Sequence, residues 1–302
     1  MAATKKRGRT YRKGGTEQVK VNWHEFIDQM LDPAVPAHFS GTYSNWKCGA
    51  NGKGYSPSNA FWLQLQDLFD PTVEGPYGPF GEWKRHGRFP KKGSKARTVL
   101  KPVFVYKKET DAKGVETKVR IGPIDYVPIK SAFPYSVTDG EPLKGVEKMP
   151  DDWDLDRALE KLEIKRIKFN MIDGNVQGYS QERKFALNPV AAHPMKTTFH
   201  ELAHIVLGHT TKEEASEYKL HRGLKEFQAE AVAYILAHEL DLTDWDAAES
   251  RAYIRTWLKG GEVPDKAIRQ VFAAVSRILE AGRSAAESEG ELDQVEDVKG
   301  AA

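Results

Sequence analysis

Thr197–His209 reads TTFHELAHIVLGH, and the fold of the second half of the chain turns on it. His200 and His204 stand four residues apart, so on an α-helix they lie one turn apart on one face and both imidazoles can reach a single cation. Glu201 sits beside such a cation without ligating it. It can take a proton from a water bound there, whose pKa zinc lowers toward neutrality. Phe199, Leu202, Ala203, Val206 and Leu207 are apolar, which asks for a buried helix, and Gly208 is a C′ stop signal. The bare five-residue pattern arises by accident only about 0.02 times in a chain of this composition. The competing reading is an amphipathic helix with two hydrogen-bonded core histidines.

A third ligand must come from elsewhere. A histidine six residues after His204 would fall at position 210, which is Thr210, and His209 is one short of that register. The following helical stretch, Leu224–Leu240 (LKEFQAEAVAYILAHEL), carries Glu226 and Glu230 four apart, away from the apolar face of Phe227, Ala231 and Ile235. Two carboxylates at that spacing repel by a few tenths of a kcal/mol unless a cation lies near them. The expectation is Glu226 as third ligand and Glu230 as a carboxylate accepting from a ligand imidazole N–H, with the reverse assignment open. Zinc is the expected ion, although two imidazoles and one carboxylate also accept manganese, cobalt or nickel. Tyr218, His221 and Tyr234 are oxyanion-donor candidates on position alone. His193, His221 and His238 read as surface or packing residues.

Composition bounds the rest. The 302 residues are 29% charged and 40% hydrophobic, which suits a soluble globular protein with room for two domains. No apolar run is long enough to cross a bilayer, and the basic N-terminus is followed by no apolar segment. The expectation is a cytoplasmic protein with no membrane partner. The single cysteine, Cys48, excludes an internal disulfide or a multi-cysteine metal cluster. The net charge of +2 conceals an asymmetry: Gly81–Lys108 holds ten Lys or Arg against Glu82, while the C-terminus is acidic. A polyanion partner for the first half follows from that separation.

Periodicity and breakers divide the chain into a flexible basic tail over 1–18, a mixed α+β domain over 19–145, a linker over 146–153, a helix-rich domain over 154–285 and an acidic tail over 286–302. The fold class is therefore α+β. Helices are expected at Trp23–Leu31, Ser58–Phe69 and Asp154–Leu162, and at about 196–207, 223–240, 246–258 and 264–281. Strands are expected at Thr98–Lys107, Thr117–Ile121, Asp125–Ile129, Phe133–Thr138, Ile167–Ile172 and Lys184–Asn188. Within Gly81–Lys108, basic side chains are interleaved with Trp83, Phe89, Phe104 and Tyr106. Stacking rings in a cationic groove are what single-stranded nucleic acid requires, although the same composition also describes core aromatics beneath a solvated strand pair.

Two resemblances bear on these patterns. HELAH followed by E-F-Q-A-E-A on the next helix resembles the gluzincin arrangement of the ImmA/IrrE-type metallopeptidases. There the first Glu of that second motif is a metal ligand, which favours Glu226; Glu230 stands where the family has Asp or Asn. KFALNP (184–189) is similar to the edge strand that precedes the motif and to which an extended substrate can add. The phrases YSPSNAFWLQL (55–65), Trp83, RFPKKGSKA (88–96), VFVY (103–106) and VPIKSAFPYSVTDGEP (127–142) resemble the N-terminal domain of ArdC-type antirestriction proteins. That resemblance implies single-stranded DNA binding, with Tyr55, Asn59, Trp83, Lys91, Lys92, Lys95 and Arg97 as candidate contacts. It implies an antirestriction protein of a phage or plasmid with a zinc peptidase acting on a protein or peptide. Alternatives are a regulatory peptidase cleaving a repressor, or a non-catalytic DNA-binding protein with a structural metal.

Overall fold

The computed structural model describes residues 22–33, 55–67, 70, 72–73, 75–110, 116–143, 152–173, 175–259 and 263–284, with the backbone alone over 212–221, at 57, 61 and 64–65, and at part of 102–125. Cys48, both expected tails and most of the expected linker lie outside the described residues. The chain is α+β. It divides into two compact units, one containing Lys101–Pro128 and the other Asn22–Leu100 with everything from Ile129 onward.

The first unit is made of the strands β3 (Arg97–Thr110) and β4 (Glu116–Pro134) over its residue range. β4 is one continuous strand where three short ones are expected. Its only described neighbour besides β3 is β1 (Tyr77–Pro79), which pairs with Ala132–Pro134 alone. Before Ala132 no strand among the described residues pairs with the other edge of β4, where Pro123 and Pro128 break no described ladder on that side.

In the second unit, α1 (Trp23–Met30) starts at Asn22, whose side chain caps Glu25 N–H, and α2 (Pro57–Asp67) follows. Trp23, Phe26, Ile27 and Met30 recur at helical spacing and are buried. Phe26 lies 5.5 Å from the Trp62 ring of α2 and 5.2 Å from Phe272 of α8 (Asp265–Gly282). The short helix α3 (Phe80–Arg85) leads into β2 (Arg88–Pro90), which pairs antiparallel with β5 (Thr138–Gly140).

After α4 (Leu155–Lys161) come β6 (Lys165–Arg166), β7 (Gly178–Gln181) and β8 (Lys184–Leu187), in the order β6-β8-β7. The strand expected at Ile167–Ile172 does not form: Met171 and Ile172 are exposed, and only the two residues before the segment pair with β8. Three helices then frame the site: α5 (Pro194–Val206), α6 (Lys212–Glu239) and α7 (Ala247–Lys259). From Phe227 to Ala237, α6 buries Phe227, Ala229, Ala231, Val232, Ala233, Tyr234, Ile235, Leu236 and Ala237. A helix buried around its whole circumference, with Gln228 and Glu230 its buried polar residues over this stretch, is a core helix, and α5, α7 and α8 pack around it. Each fully buried large apolar side chain contributes about 1.5–3 kcal/mol by leaving water. No helix among the described residues is long and apolar enough to cross a membrane.

Candidate metal centre

α5 opens with Pro194 at its first turn, where a missing N–H costs nothing, and buries Phe199, Leu202, Ala203 and Ile205 against the core. Trp153 meets Phe199 edge-on at 5.3 Å. The helix ends as Gly208 predicts. Gly208 has φ +81°, its N–H reaches Ile205 O at 3.1 Å, and His209 N–H reaches His204 O at 2.9 Å. This double closure is a Schellman cap, and glycine alone adopts its backbone angle without strain. The cap also folds His209 back beside His204.

Three ligand atoms converge from α5 and α6. His200 Nε2 and His204 Nε2 are 3.1 Å apart, and Glu226 Oε2 lies 3.3 Å from the first and 3.7 Å from the second. Bonds of ~2.0–2.1 Å at a tetrahedral centre put neighbouring ligand atoms about 3.3 Å apart, and right-angle ligands at the same length about 2.9 Å. The observed triangle has the size of one face of either polyhedron. The three residues are a candidate divalent-metal site, and their donor set suits zinc, manganese, cobalt or nickel.

The outer contacts decide which way each imidazole faces. His200 Nδ1 is 3.2 Å from Glu230 Oε2, while Glu230 Oε1 accepts from Lys196 Nζ at 2.6 Å and from Ser250 Oγ at 2.5 Å. Burial pulls the His200 imidazolium down, but hydrogen bonds to Glu226 and Glu230 outweigh it and hold its pKa at about 9. Burial pushes the Glu230 carboxyl up, yet His200 and Lys196 draw it down to about 2. A metal ion would therefore replace a proton at His200.

His204 is oriented by a longer chain. Its Nδ1 is 3.1 Å from His209 Nδ1, His209 Nε2 is 3.1 Å from Gln228 Oε1, and Gln228 Nε2 donates to Ala267 O at 3.1 Å. A peptide carbonyl can only accept, so the Gln228 amide must point its NH2 at Ala267 and its oxygen at His209. His209 then donates from Nε2 and, neutral, accepts at Nδ1. His204 must donate from Nδ1, which leaves the Nε2 lone pair facing the site.

A cleft of about 510 Å³ opens over these residues, lined by Gly178, Tyr179, Ser180 and Gln181 of β7 and by Glu201, Thr210 and Arg222. Glu201 is buried and borders the cleft. Gly178 lets β7 come close: a Cβ there would stand 3.2 Å from Glu201 Cγ and 3.0 Å from Thr197 Cγ2. KFAL is β8, the central strand, so the strand edge on the cleft belongs to β7 and not to the KFALNP segment. Tyr234 is 1% exposed and rings with His238 at 4.5 Å, which removes it as an oxyanion donor. The side chains of Tyr218 and His221 lie outside the described ones. His193 Nδ1 is 3.0 Å from Asp244 O at the surface, and His238 also packs on Trp245 at 4.9 Å.

No family model matches this chain, and no curated protein does. Among solved structures it is similar to the antirestriction protein ArdC of plasmid R388. The metal-free crystal structure of that protein aligns over 86% of this chain and 95% of that chain, at 19% identity and a TM-score of 0.48. Its Mn(II)-bound structure aligns over 86% and 94%, at 18% identity and a TM-score of 0.41. Both scores fall below 0.5, so the reading of the site rests on its own distances.

The candidate DNA contacts separate into two sets. Trp83 is 1% exposed and its indole N–H donates to Phe133 O at 3.0 Å, so it has no free face for a base. Asn59 accepts from Leu100 N–H at 2.6 Å and donates to Leu100 O at 3.1 Å, fastening α2 to the start of β3. Arg97 is held by Asp67 at 2.6 Å, and Tyr55 packs on the core of Leu63, Tyr77, Val99 and Ala132. All four side chains are engaged within the protein. Lys91, Lys92 and Lys95 are exposed on a tight turn closed by Ser94 N–H to Lys91 O at 2.9 Å.

Proposed function

We propose that the chain is an antirestriction-type protein that joins a divalent-metal peptidase site to a single-stranded DNA-binding surface. The observation that carries the peptidase half is the triangle of His200 Nε2, His204 Nε2 and Glu226 Oε2, with a buried, non-ligating Glu201 on the same cleft. A purely structural site has no use for a carboxylate that binds nothing. A divalent cation held by His200, His204 and Glu226 supplies Lewis acidity and an acidified water. Glu201 takes the proton from the attacking water on a carboxylate oxygen and delivers it to the leaving amine nitrogen as the C–N bond breaks. β7 offers an open strand edge on which an extended peptide can lie, and Arg222, one turn before Glu226, is the cation available to an oxyanion.

The antirestriction setting and the DNA surface rest on the phrases of the first half that resemble the ArdC-type domain, and on the exposed lysine turn. The deciding experiment is Glu201→Gln with zinc and manganese content measured alongside cleavage of an unfolded protein substrate. Metal content is expected to stay unchanged while cleavage falls by about 10²–10⁴-fold, the usual contribution of a general base. Cleavage that survives with metal bound would remove the peptidase mechanism.

A further inference from the structure

The two-stranded sheet β2–β5 turns the usual inside–outside rule over. Arg88 is buried: its Nε donates to Thr138 Oγ1 at 2.9 Å, its Nη2 to Thr138 O at 3.0 Å and its Nη1 to Gly140 O at 3.2 Å. The guanidinium also lies 4.3 Å from the centroid of the Tyr135 ring. Side chains alternate along a strand, so a buried Arg88 forces Phe89 outward. Phe89 is 49% exposed and Phe80, at the start of α3, is 52% exposed, with their ring centroids 6.2 Å apart. Both rings are exposed, and Phe89 stands on the strand that the Arg88 hydrogen bonds tie to β5.

The charge around this pair is sorted. Arg88 is used up inside, and Arg85 is paired with Glu82 at 2.9 Å. Lys84, Lys92 and Lys95 are exposed and make no ion pair among the described residues, and Lys91 Nζ reaches only Ser136 O at 3.2 Å. The nearby counter-charges are Asp139, opposite Phe89 in the register, whose carboxylate accepts from Gly140 N–H at 3.0 Å, and exposed Glu141 beside Gly87.

We propose that Phe80 and Phe89 form the stacking platform of a single-stranded DNA site whose phosphates are held by Lys91, Lys92 and Lys95. This rests on the DNA half of the proposed function. A ring offers its face to a base only when that base is unpaired, and lysines beside the ring track the backbone. Two isolated rings among charges are too small an apolar face to seat a helix-like amphipathic surface in lipid.

The test uses the full chain and a fluorescein-labelled oligo(dT), read by anisotropy against salt, beside an abasic oligonucleotide of the same length. Phe80→Leu and Phe89→Leu keep apolar bulk at exposed positions but remove the π-face, so the fold is retained. Each is expected to weaken oligo(dT) binding by about 5-fold or more, and together they erase the preference over the abasic strand. Replacing Lys91, Lys92 and Lys95 by alanine is expected to lower the salt slope by about 2, at ~0.7 per phosphate contact, with the preference for bases kept. If the wild-type chain binds oligo(dT) and the double leucine variant binds it equally well, the platform is wrong and the DNA reading stands. If the wild type binds neither strand, both fall. Loss of binding to anionic lipid vesicles in the leucine variant, with DNA binding intact, would also overturn the platform.

Discussion

Replacing His209 by Phe keeps a ring of similar size and removes the acceptor that faces His204 Nδ1. His204 and His209 are both buried, so the His204 N–H loses the partner it has in the wild type. An unmade hydrogen bond of this kind costs about 1–3 kcal/mol. The neutral imidazole can escape the cost by moving its proton to Nε2, which blocks the metal. Metal binding must reverse that shift, so the loss falls on metal affinity, and at 1.4 kcal/mol per tenfold it amounts to about 5- to 150-fold. The span agrees with the ~10- to 100-fold loss usual when a partner of a ligand histidine is removed. The assay is competition for zinc against a chromophoric chelator at fixed pH, with Gln228→Leu, which severs the chain one link further out, as second perturbation. Nitrogen NMR of the metal-free protein reports the tautomer: His204 is expected to carry its proton on Nδ1 in the wild type and to lose that preference in both variants. An affinity within twofold of wild type for two folded variants refutes the reasoning.

Further outcomes follow from the same geometry. Gly178→Ala crowds Thr197, Glu201 and the Ala186 carbonyl, which must give way by a few tenths of an ångström, so cleavage should drop by about 10-fold with zinc affinity unchanged, since small misplacements of a catalytic group are costly; equal loss of both would show that the strand itself had moved. In chelator-treated protein, the stabilisation from the raised His200 pKa is fully present below pH 6.5 and is lost as pH rises through about 9. The melting temperature should therefore fall between pH 7 and 9.5, and saturating zinc should remove that dependence; a flat profile without metal contradicts it. Glu230→Ala strips Lys196, Ser250 and His200 of a shared acceptor and should cost both metal affinity and several degrees of melting temperature, whereas a metal defect alone would mean the three donors repartner.

What the amino-acid order discloses is local geometry. The His200–His204 pair, the Gly208 cap and the Glu226–Glu230 spacing are all questions about one helix, where a period of 3.6 residues settles who shares a face. His209 is legible only as a nearby histidine out of register for a ligand, because its value comes from the cap that swings it backward. Lys196, Gln228 and Ser250 acquire their roles from packing between α5, α6, α7 and α8, which no spacing within a helix announces. The first half is harder to read for a different reason. Aromatic and basic residues alternate around Trp83, Arg88 and Phe89, and composition cannot tell which member turns inward; here a tryptophan and an arginine do, and the phenylalanine does not.

The hydrogen-bond chain from His204 ends on the carbonyl of Ala267, in the first turn of the last described helix. A growing polypeptide displays both histidines and the glutamate long before that carbonyl emerges from the ribosome. Until it does, nothing dictates which nitrogen of His204 keeps its hydrogen. The orientation of His204 toward the site thus depends on a backbone atom more than sixty residues downstream of the motif, so a chain cut short before the last described helix would keep all three ligand residues and lose the partner that sets the facing nitrogen.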